Sequence, residues 1–213
     1  MSKRSITLIQ DGRLYLQYCL ENNINTESTV FKGTLYELYV KQYLESKFHA
    51  KDLIKCGGSY DNGVDIIGKW DLNPFYNKSL NFAETTKKLH SKSLVNSLPN
   101  IDIQLLIQCK NFKKKLGAST IRELSGVLDY YKFNKKSTFM FIVSPQPITN
   151  QAISQLDKSS FGIINLSIST LKNNIDHYNY DLWKGGELKS IYLNKMARNL
   201  LDGFHIEKQF QLS

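Results

Sequence analysis

The sequence predicts an α/β protein: a mixed β-sheet flanked by helices, with helical extensions at both ends. Short apolar runs bounded by turn residues indicate buried strands, and apolar residues three and four apart indicate helices. The two kinds of segment alternate along most of the 213 residues. A hydrophobic content of 41% is enough for one sizeable core, and the length favours one domain with extensions over two full domains.

Two helices and a hairpin are predicted first. Apolar spacing predicts helices over 11–22 and 30–48, the second being the stronger pattern. Two apolar runs, DLIKC and VDIIGKW, follow on either side of GGSYDNG. Glycine and Asn-Gly between such runs are typical of a turn joining two strands. The polar stretch 70–103 has little periodicity, and we interpret it as a long, partly mobile insertion.

Strands and helices alternate in the second half of the chain. They are a strand QLLIQCK, a helix over 118–133, a strand at 137–144, a helix ITNQAISQLDK and a strand FGIINLSI. The tail is predicted to be helical in part, near 187–202. The predicted organisation is an N-terminal extension 1–30, a core 31–169 containing the insertion 70–103, and a C-terminal helical extension 170–213.

The charge balance favours a polyanionic partner. Lys and Arg number 28 against 19 Asp and Glu, a net charge of +9, which suits nucleic acid or an anionic membrane surface. The three cysteines, Cys19, Cys56 and Cys109, show no CxxC spacing, so reduced thiols are expected. No run approaches the roughly 18 apolar residues of a membrane span. The N-terminus MSKRSITLIQ only faintly resembles a transit peptide, and an ordinary terminus is favoured.

The strand QLLIQCK runs directly into a lysine cluster. Side chains alternate across a strand, so Gln108 and Lys110 share one face and Cys109 points the other way, into packing. Asp65, on a strand expected to pair with this one, joins them in one cluster. Burying such a group for stability alone is unfavourable because a buried charge needs a partner. Taken singly, each residue has an ordinary structural explanation; taken together, they favour a site.

This cluster suits phosphodiester hydrolysis. Mg²⁺ takes oxygen ligands and keeps several waters beside one or two carboxylates. The Asp65 carboxylate, the Gln108 side-chain oxygen and the Cys109 carbonyl can supply such oxygens, and Glu37 on the second helix could add a carboxylate. Lys110 can orient the attacking water or stabilise charge on the phosphate.

Two further sets of residues leave alternatives open. Asp61 competes with the main carboxylate for the metal, but its place inside the predicted turn favours a structural role. Lys113, Lys114, Lys115 and Arg122 could contact phosphates, or could equally form a solvated basic face.

The chain resembles the Mrr-like restriction endonuclease group of the PD-(D/E)XK nuclease superfamily over about 31–166. The matching blocks are GTLYELYV with Glu37, GGSYDNGVDIIG with Asp65, and LLIQCKNF with Gln108 and Lys110. The segments IRELSGVL and FIVSPQPITNQAISQ also look like that group. The order of these blocks and the long insertion show a closer resemblance to the fungal mitochondrial "required for respiratory growth" family, in the branch with an Mrr-like nuclease core.

The resemblance implies a restriction-endonuclease-like sheet and a Mg²⁺- or Mn²⁺-dependent DNA nuclease, and members of that group often work as homodimers. It implies a mitochondrial location and hence mitochondrial DNA as substrate. Asp65 would be the main metal ligand, Glu37 a second carboxylate, Gln108 a residue that sets the metal site, and Lys110 the catalytic lysine. Glutamine at 108, where most of the superfamily has an acid, weakens the case for two tightly bound metals.

Two other functions stay open. One is a nucleic-acid-binding protein that kept the fold without catalysis and supports mitochondrial gene expression. The other is a structure-specific or junction-resolving nuclease, which shares the site and differs in substrate. RNA as substrate also stays open, because no reader of the 2′-hydroxyl can be identified.

Overall fold

One six-stranded mixed sheet organises the chain. The computed structural model describes residues 9–56, 63–82, 89–98, 101–130 and 132–211. The strands lie in chain order, β1 (Ala50–Lys55), β2 (Ile66–Trp70), β3 (Gln104–Cys109), β4 (Thr138–Ser144), β5 (Gly162–Ile168) and β6 (Leu188–Leu193). The pairs β1–β2, β2–β3 and β5–β6 are antiparallel, and β3–β4 and β4–β5 are parallel. The predicted α/β class with a mixed sheet is confirmed.

Helices cover both faces of the sheet. They are α1 (Gly12–Glu21), α2 (Thr29–Lys47), α3 (Asn73–Ser79), α4 (Ala118–Tyr130), α5 (Asn150–Leu156), α6 (Lys195–Leu200) and α7 (Ile206–Gln211). The two predicted hairpin strands pair as β1 and β2, and residues 57–62 of their predicted turn lie outside the described residues. The four helices predicted before residue 160 are present, with boundaries shifted by a few residues. Within the described part of the chain, no helix is both long and apolar enough to cross a membrane.

The central strands are buried on both faces, which explains their nearly continuous apolar sequences. Every residue of β4 and β5 is buried. Alternate side chains of β3 enter different cores: Leu105 and Ile107 pack with α2 and the C-terminal helices, and Leu106 packs with α4 and α5. The end of β3 is therefore held from both sides.

Helix α2 carries one of the predicted site residues. It begins after Ser28, whose hydroxyl accepts a hydrogen bond from the Phe31 N–H at 3.1 Å, as N-cap residues commonly do. Tyr36, Val40 and Leu44 are buried in the core that also contains β3. This packing fixes the helix beside β1 and β3.

The prediction of a helix near 187–202 is wrong for the first part of that range. Residues 188–193 form strand β6, and only 195–200 are helical. Leu188 and Ile191 are three apart, a helical spacing, but they pair with Ile168 and Leu166, which are two apart. A β-bulge thus takes up one extra residue in β6. The segment predicted as a helical extension therefore supplies the sixth strand.

The described parts of the predicted insertion 70–103 belong to the core. Pro74 lies in the first turn of α3, where proline is well tolerated. Leu72, Phe75 and Leu94 are buried in the same cluster as α2 and the sheet. The described parts of this stretch therefore pack as part of the domain.

Candidate active site

The pairing of β2 with β3 places Asp65 beside Gln108. Ile66 pairs with Ile107 in this antiparallel ladder, and Asp65 immediately precedes β2. Its backbone N–H donates to the Ile107 carbonyl at 2.9 Å. The predicted meeting of these two side chains follows directly from the strand register.

Asp65 and Gln108 are in direct contact. The Gln108 Nε2 donates to Asp65 Oδ2 at 2.5 Å, and the Cys109 backbone N–H donates to the same oxygen at 2.6 Å. Asp65 is 8% exposed and Gln108 is 3% exposed. Hydrogen bonds to a charged acceptor are about twice as strong as neutral ones, so the carboxylate is held firmly at the end of β3.

The other oxygen-bearing groups of this cluster suit a hard cation. Gln108 Oε1 is buried and has no hydrogen-bond partner among the residues that the structure describes, a condition that costs about 1–3 kcal/mol. Gln108 Nε2 also lies 3.3 Å from the Cys109 carbonyl oxygen, so this carbonyl belongs to the same cluster. One carboxylate with two neutral oxygens is a donor set that Mg²⁺ accepts, together with water.

Gly63 leaves room beside Gln108 Oε1. A Cβ at this position would lie 3.4 Å from Gln108 Oε1, and the residue has a φ of +79°, which glycine adopts without strain. Gly63, Lys110, Glu123 and Tyr130 line a cavity of about 470 Å³. Lys110 is thus placed at a space large enough for a phosphate group and its waters.

Glu37 is held by a lysine that sequence reasoning missed. Lys55 Nζ lies 3.1 Å from Glu37 Oε2, and the Lys55 side chain is only 7% exposed. Gln10 fixes the end of β1 by bonding both backbone groups of Lys55, at 2.7 and 3.1 Å. Strand alternation puts Lys55 on the same face as the buried Leu53, but this pattern does not reveal its partner on α2.

Among the described residues, no three histidine, cysteine, aspartate or glutamate side chains lie together as a metal site would require. A cation at this cluster would therefore depend on neutral oxygens and water besides Asp65 and Glu37. Gln108 Oε1 and the Cys109 carbonyl oxygen can supply these neutral oxygens. The catalytic and metal roles of these residues stay predictions. Asp61, the alternative carboxylate, lies outside the described residues.

Two of the four predicted phosphate-contacting residues line one groove. Lys113, Lys114, Lys115 and Arg122 are all exposed. Lys113 and Lys114 line a groove of about 830 Å³. Lys115 and Arg122, the latter on α4, are not among the described residues that line it.

Cysteine labelling can test the burial of the site. Burial raises the pKa of the Cys109 thiol well above its usual value, and the Asp65 and Glu37 carboxylates raise it further. Burial also raises the pKa of Cys19. A raised thiol pKa lowers the reactive thiolate fraction near neutral pH. We expect only Cys56 to react rapidly with a thiol reagent in the native protein, as measured by absorbance and peptide mass spectrometry.

The Cys56→Ser variant provides the control and should show no rapidly reacting thiol until denaturant is added. Rapid native-state labelling of Cys109 would contradict the prediction, because it would mean that the end of β3 opens readily to solvent.

Comparison with known proteins identifies the family of the chain. A family model described as "Required for respiratory growth protein 7" matches residues 28–201. Curated relatives named "Required for respiratory growth protein 7, mitochondrial" include one from Vanderwaltozyma polyspora, 30% identical and covering 91% of this chain and 84% of the relative. Another, from Saccharomyces cerevisiae, is 31% identical and covers 92% of this chain and 88% of the relative. No solved structure gives a significant match.

These matches bear on two predictions made from the sequence. The mitochondrial location is confirmed, since the relatives are named as mitochondrial proteins. The resemblance to a family required for respiratory growth is confirmed as well. With the family model matching residues 28–201 of the 213, the chain belongs to the Required for respiratory growth protein 7 family.

Proposed function

We propose that this chain is a Mg²⁺- or Mn²⁺-dependent DNA nuclease of the PD-(D/E)XK type, acting on mitochondrial DNA in its maintenance, repair or turnover. The observation that carries the proposal is the buried Gln108 Oε1, which lies beside the Asp65 carboxylate and has no hydrogen-bond partner within the described part of the chain. A buried oxygen without a donor is unfavourable for a purely structural residue. A bound cation facing Gln108 Oε1 would compensate for the missing donor.

The residues that would hold the cation are Asp65, Gln108 through Oε1, the Cys109 carbonyl and Glu37. When bound, the cation would polarise the phosphoryl oxygen and acidify a water molecule. The Cys109 N–H and Gln108 Nε2 keep the Asp65 carboxylate in place. The Lys55 ammonium keeps Glu37 in one position. Preorganised ligands of this kind need little rearrangement during the reaction.

Lys110 is the candidate for handling the reacting groups. It follows β3 directly, and its backbone N–H donates to the Val143 carbonyl at 2.8 Å, which fixes its position relative to the neighbouring strand. Its ammonium would donate to the attacking water or to a phosphate oxygen. Attack of the water on phosphorus breaks the bond to one ester oxygen, giving a phosphate monoester and a hydroxyl end. The excess of basic residues favours the DNA polyanion as substrate.

The test is cleavage of supercoiled plasmid, linear duplex, single strand and a four-way junction by the purified full chain. We expect cutting with Mg²⁺ or Mn²⁺ and none in chelator. Lys110→Ala should reduce the rate at least about 100-fold, the lower range for loss of a proton-handling group. Cutting of the junction alone would identify a structure-specific enzyme with the same site.

Lys47→Ala is the matched control, because this lysine is exposed at the far end of α2. A Lys110→Ala protein that cuts at the wild-type rate would overturn the mechanism. Salt-sensitive DNA binding by the wild type without any metal-dependent cutting would replace the nuclease by the alternative, a nucleic-acid-binding protein that supports mitochondrial gene expression.

A further inference from the structure

A second recess lies beside the candidate active site. It is a groove of about 830 Å³ between the start of α2, the loop that follows β3, and the segment around 170–183. Asn111 Nδ2 donates to the Lys32 carbonyl at 3.2 Å and so joins the loop to α2. We call this recess the lysine groove.

The lysine groove is positively charged. Among its described lining residues, four are lysines and none is acidic: Lys32, Lys113, Lys114 and Lys172. Lys32 also forms an exposed ion pair with Glu27, which lies outside the lining. An exposed ion pair contributes little because solvent screens it, so it can be given up for a stronger anionic ligand. The charge suits a polyanion.

Aromatic rings lie in the same groove. Phe112 is 52% exposed, although it is large and apolar. Trp183 is fixed by a hydrogen bond from Nε1 to the His177 carbonyl at 3.1 Å and by packing against Phe31, with ring centroids 6.1 Å apart. Lysines interleaved with accessible rings are typical of sites that track a single-stranded backbone and stack its bases.

One end of the groove lies close to the proposed catalytic residue. Phe112 is two residues after Lys110, and the Lys110 ammonium lies 6.0 Å from the Phe112 ring centroid. A strand held near Lys110 would therefore have the Phe112 ring within reach. A duplex keeps its base faces stacked inside, so it would leave Phe112 without a stacking partner.

We infer that the lysine groove binds single-stranded DNA, with a base stacked on Phe112 and phosphates on the lysines. The inference rests on the proposed function in that it takes the bound strand to be the nuclease substrate. It narrows that substrate to DNA with an unpaired segment next to the cleaved bond.

The experiment is fluorescence anisotropy with a labelled oligothymidylate of about 20 nucleotides, in chelator so that no cutting occurs. Phe112→Ala is expected to weaken binding about 10-fold. A Lys114→Ala, Lys172→Ala double variant is expected to lower the slope of log K against log salt by about 1.4, at about 0.7 for each lost phosphate contact. A duplex of the same length should compete at least about 10-fold less well.

Two variants serve as matched controls and should bind like the wild type. Lys47→Ala removes an exposed lysine at the other end of α2, and Leu20→Ala removes a side chain that is 54% exposed on α1. Phe112→Trp should retain the binding that Phe112→Ala loses, since stacking needs only an aromatic face.

The outcomes separate this inference from the nuclease proposal. Metal-dependent cutting with unchanged oligothymidylate binding by the groove variants overturns the inference and leaves the nuclease intact. Oligothymidylate binding that the groove variants weaken, without any cutting by the wild type, overturns the proposed nuclease activity and supports DNA binding in the lysine groove. Equal competition by duplex, equal competition by polyglutamate, or tighter binding of oligouridylate each overturns single-stranded DNA as the ligand.

Discussion

Replacing Asp65 with asparagine is expected to lower metal-dependent DNA cutting at least about 1000-fold, equivalent to about 4 kcal/mol at 1.36 kcal/mol per tenfold. Asp65 contributes the most buried carboxylate of the proposed site, and the amide removes its charge while keeping its size. Asn can still accept the hydrogen bond that Cys109 donates at 2.6 Å. The variant should therefore lose mainly its attraction for the cation. A bound cation stabilises the charge of the transition state by several kcal/mol in such sites.

The measurement is the single-turnover cutting rate over a range of Mg²⁺ concentrations. Asp52→Asn is a suitable control, because Asp52 is an exposed carboxylate on β1 with a φ of +53°, a conformation that asparagine tolerates well. Thermal unfolding of both variants checks the fold. Cutting by Asp65→Asn within about tenfold of the wild type would mean that the cation, if used, is held elsewhere.

The meeting of Asp65 and Gln108 could be predicted from local sequence. The two side chains meet if VDIIGKW and QLLIQCK are neighbouring strands whose side chains alternate between the two faces. The structure has this arrangement, with Ile66 paired with Ile107. The backbone part of the site could not be predicted in this way. Whether the Cys109 N–H reaches a carboxylate depends on how β3 leaves the sheet.

The burial of Lys55 shows the limit of local patterns. Alternation places it with Leu53 on the inner face of β1, but a lysine at a strand end is ordinarily solvated. What permits its burial is Glu37 on α2, and that pairing arises only when the helix packs on the sheet. The lysine groove is a similar case, because Lys32, Phe112 and Lys172 come from three distant segments.

The largest effect on stability is expected from Asn194→Ala, which should lower the free energy of unfolding by about 3–5 kcal/mol. Asn194 is fully buried. Its Oδ1 accepts from the Ile163 and Ala197 N–H groups, at 3.0 and 2.9 Å. Its Nδ2 donates to the Leu156 and Phe161 carbonyls, both at 2.9 Å. Alanine leaves all four buried backbone groups without this partner, and each unmet group costs about 1–3 kcal/mol before any rearrangement.

The comparison that tests this is chemical denaturation of Asn194→Ala beside Thr149→Ala. Thr149 caps α5 with a single bond, accepting from the Ala152 N–H at 3.2 Å, and its loss should lower the unfolding free energy by only about 1 kcal/mol. The difference arises because Asn194 joins the end of α5, the start of β5 and the first turn of α6. It thereby fastens the C-terminal segment that supplies β6. If both variants lost the same stability, the four bonds would not act together, and the attachment of β6 would rest on its ladder with β5 and on its packing in the core.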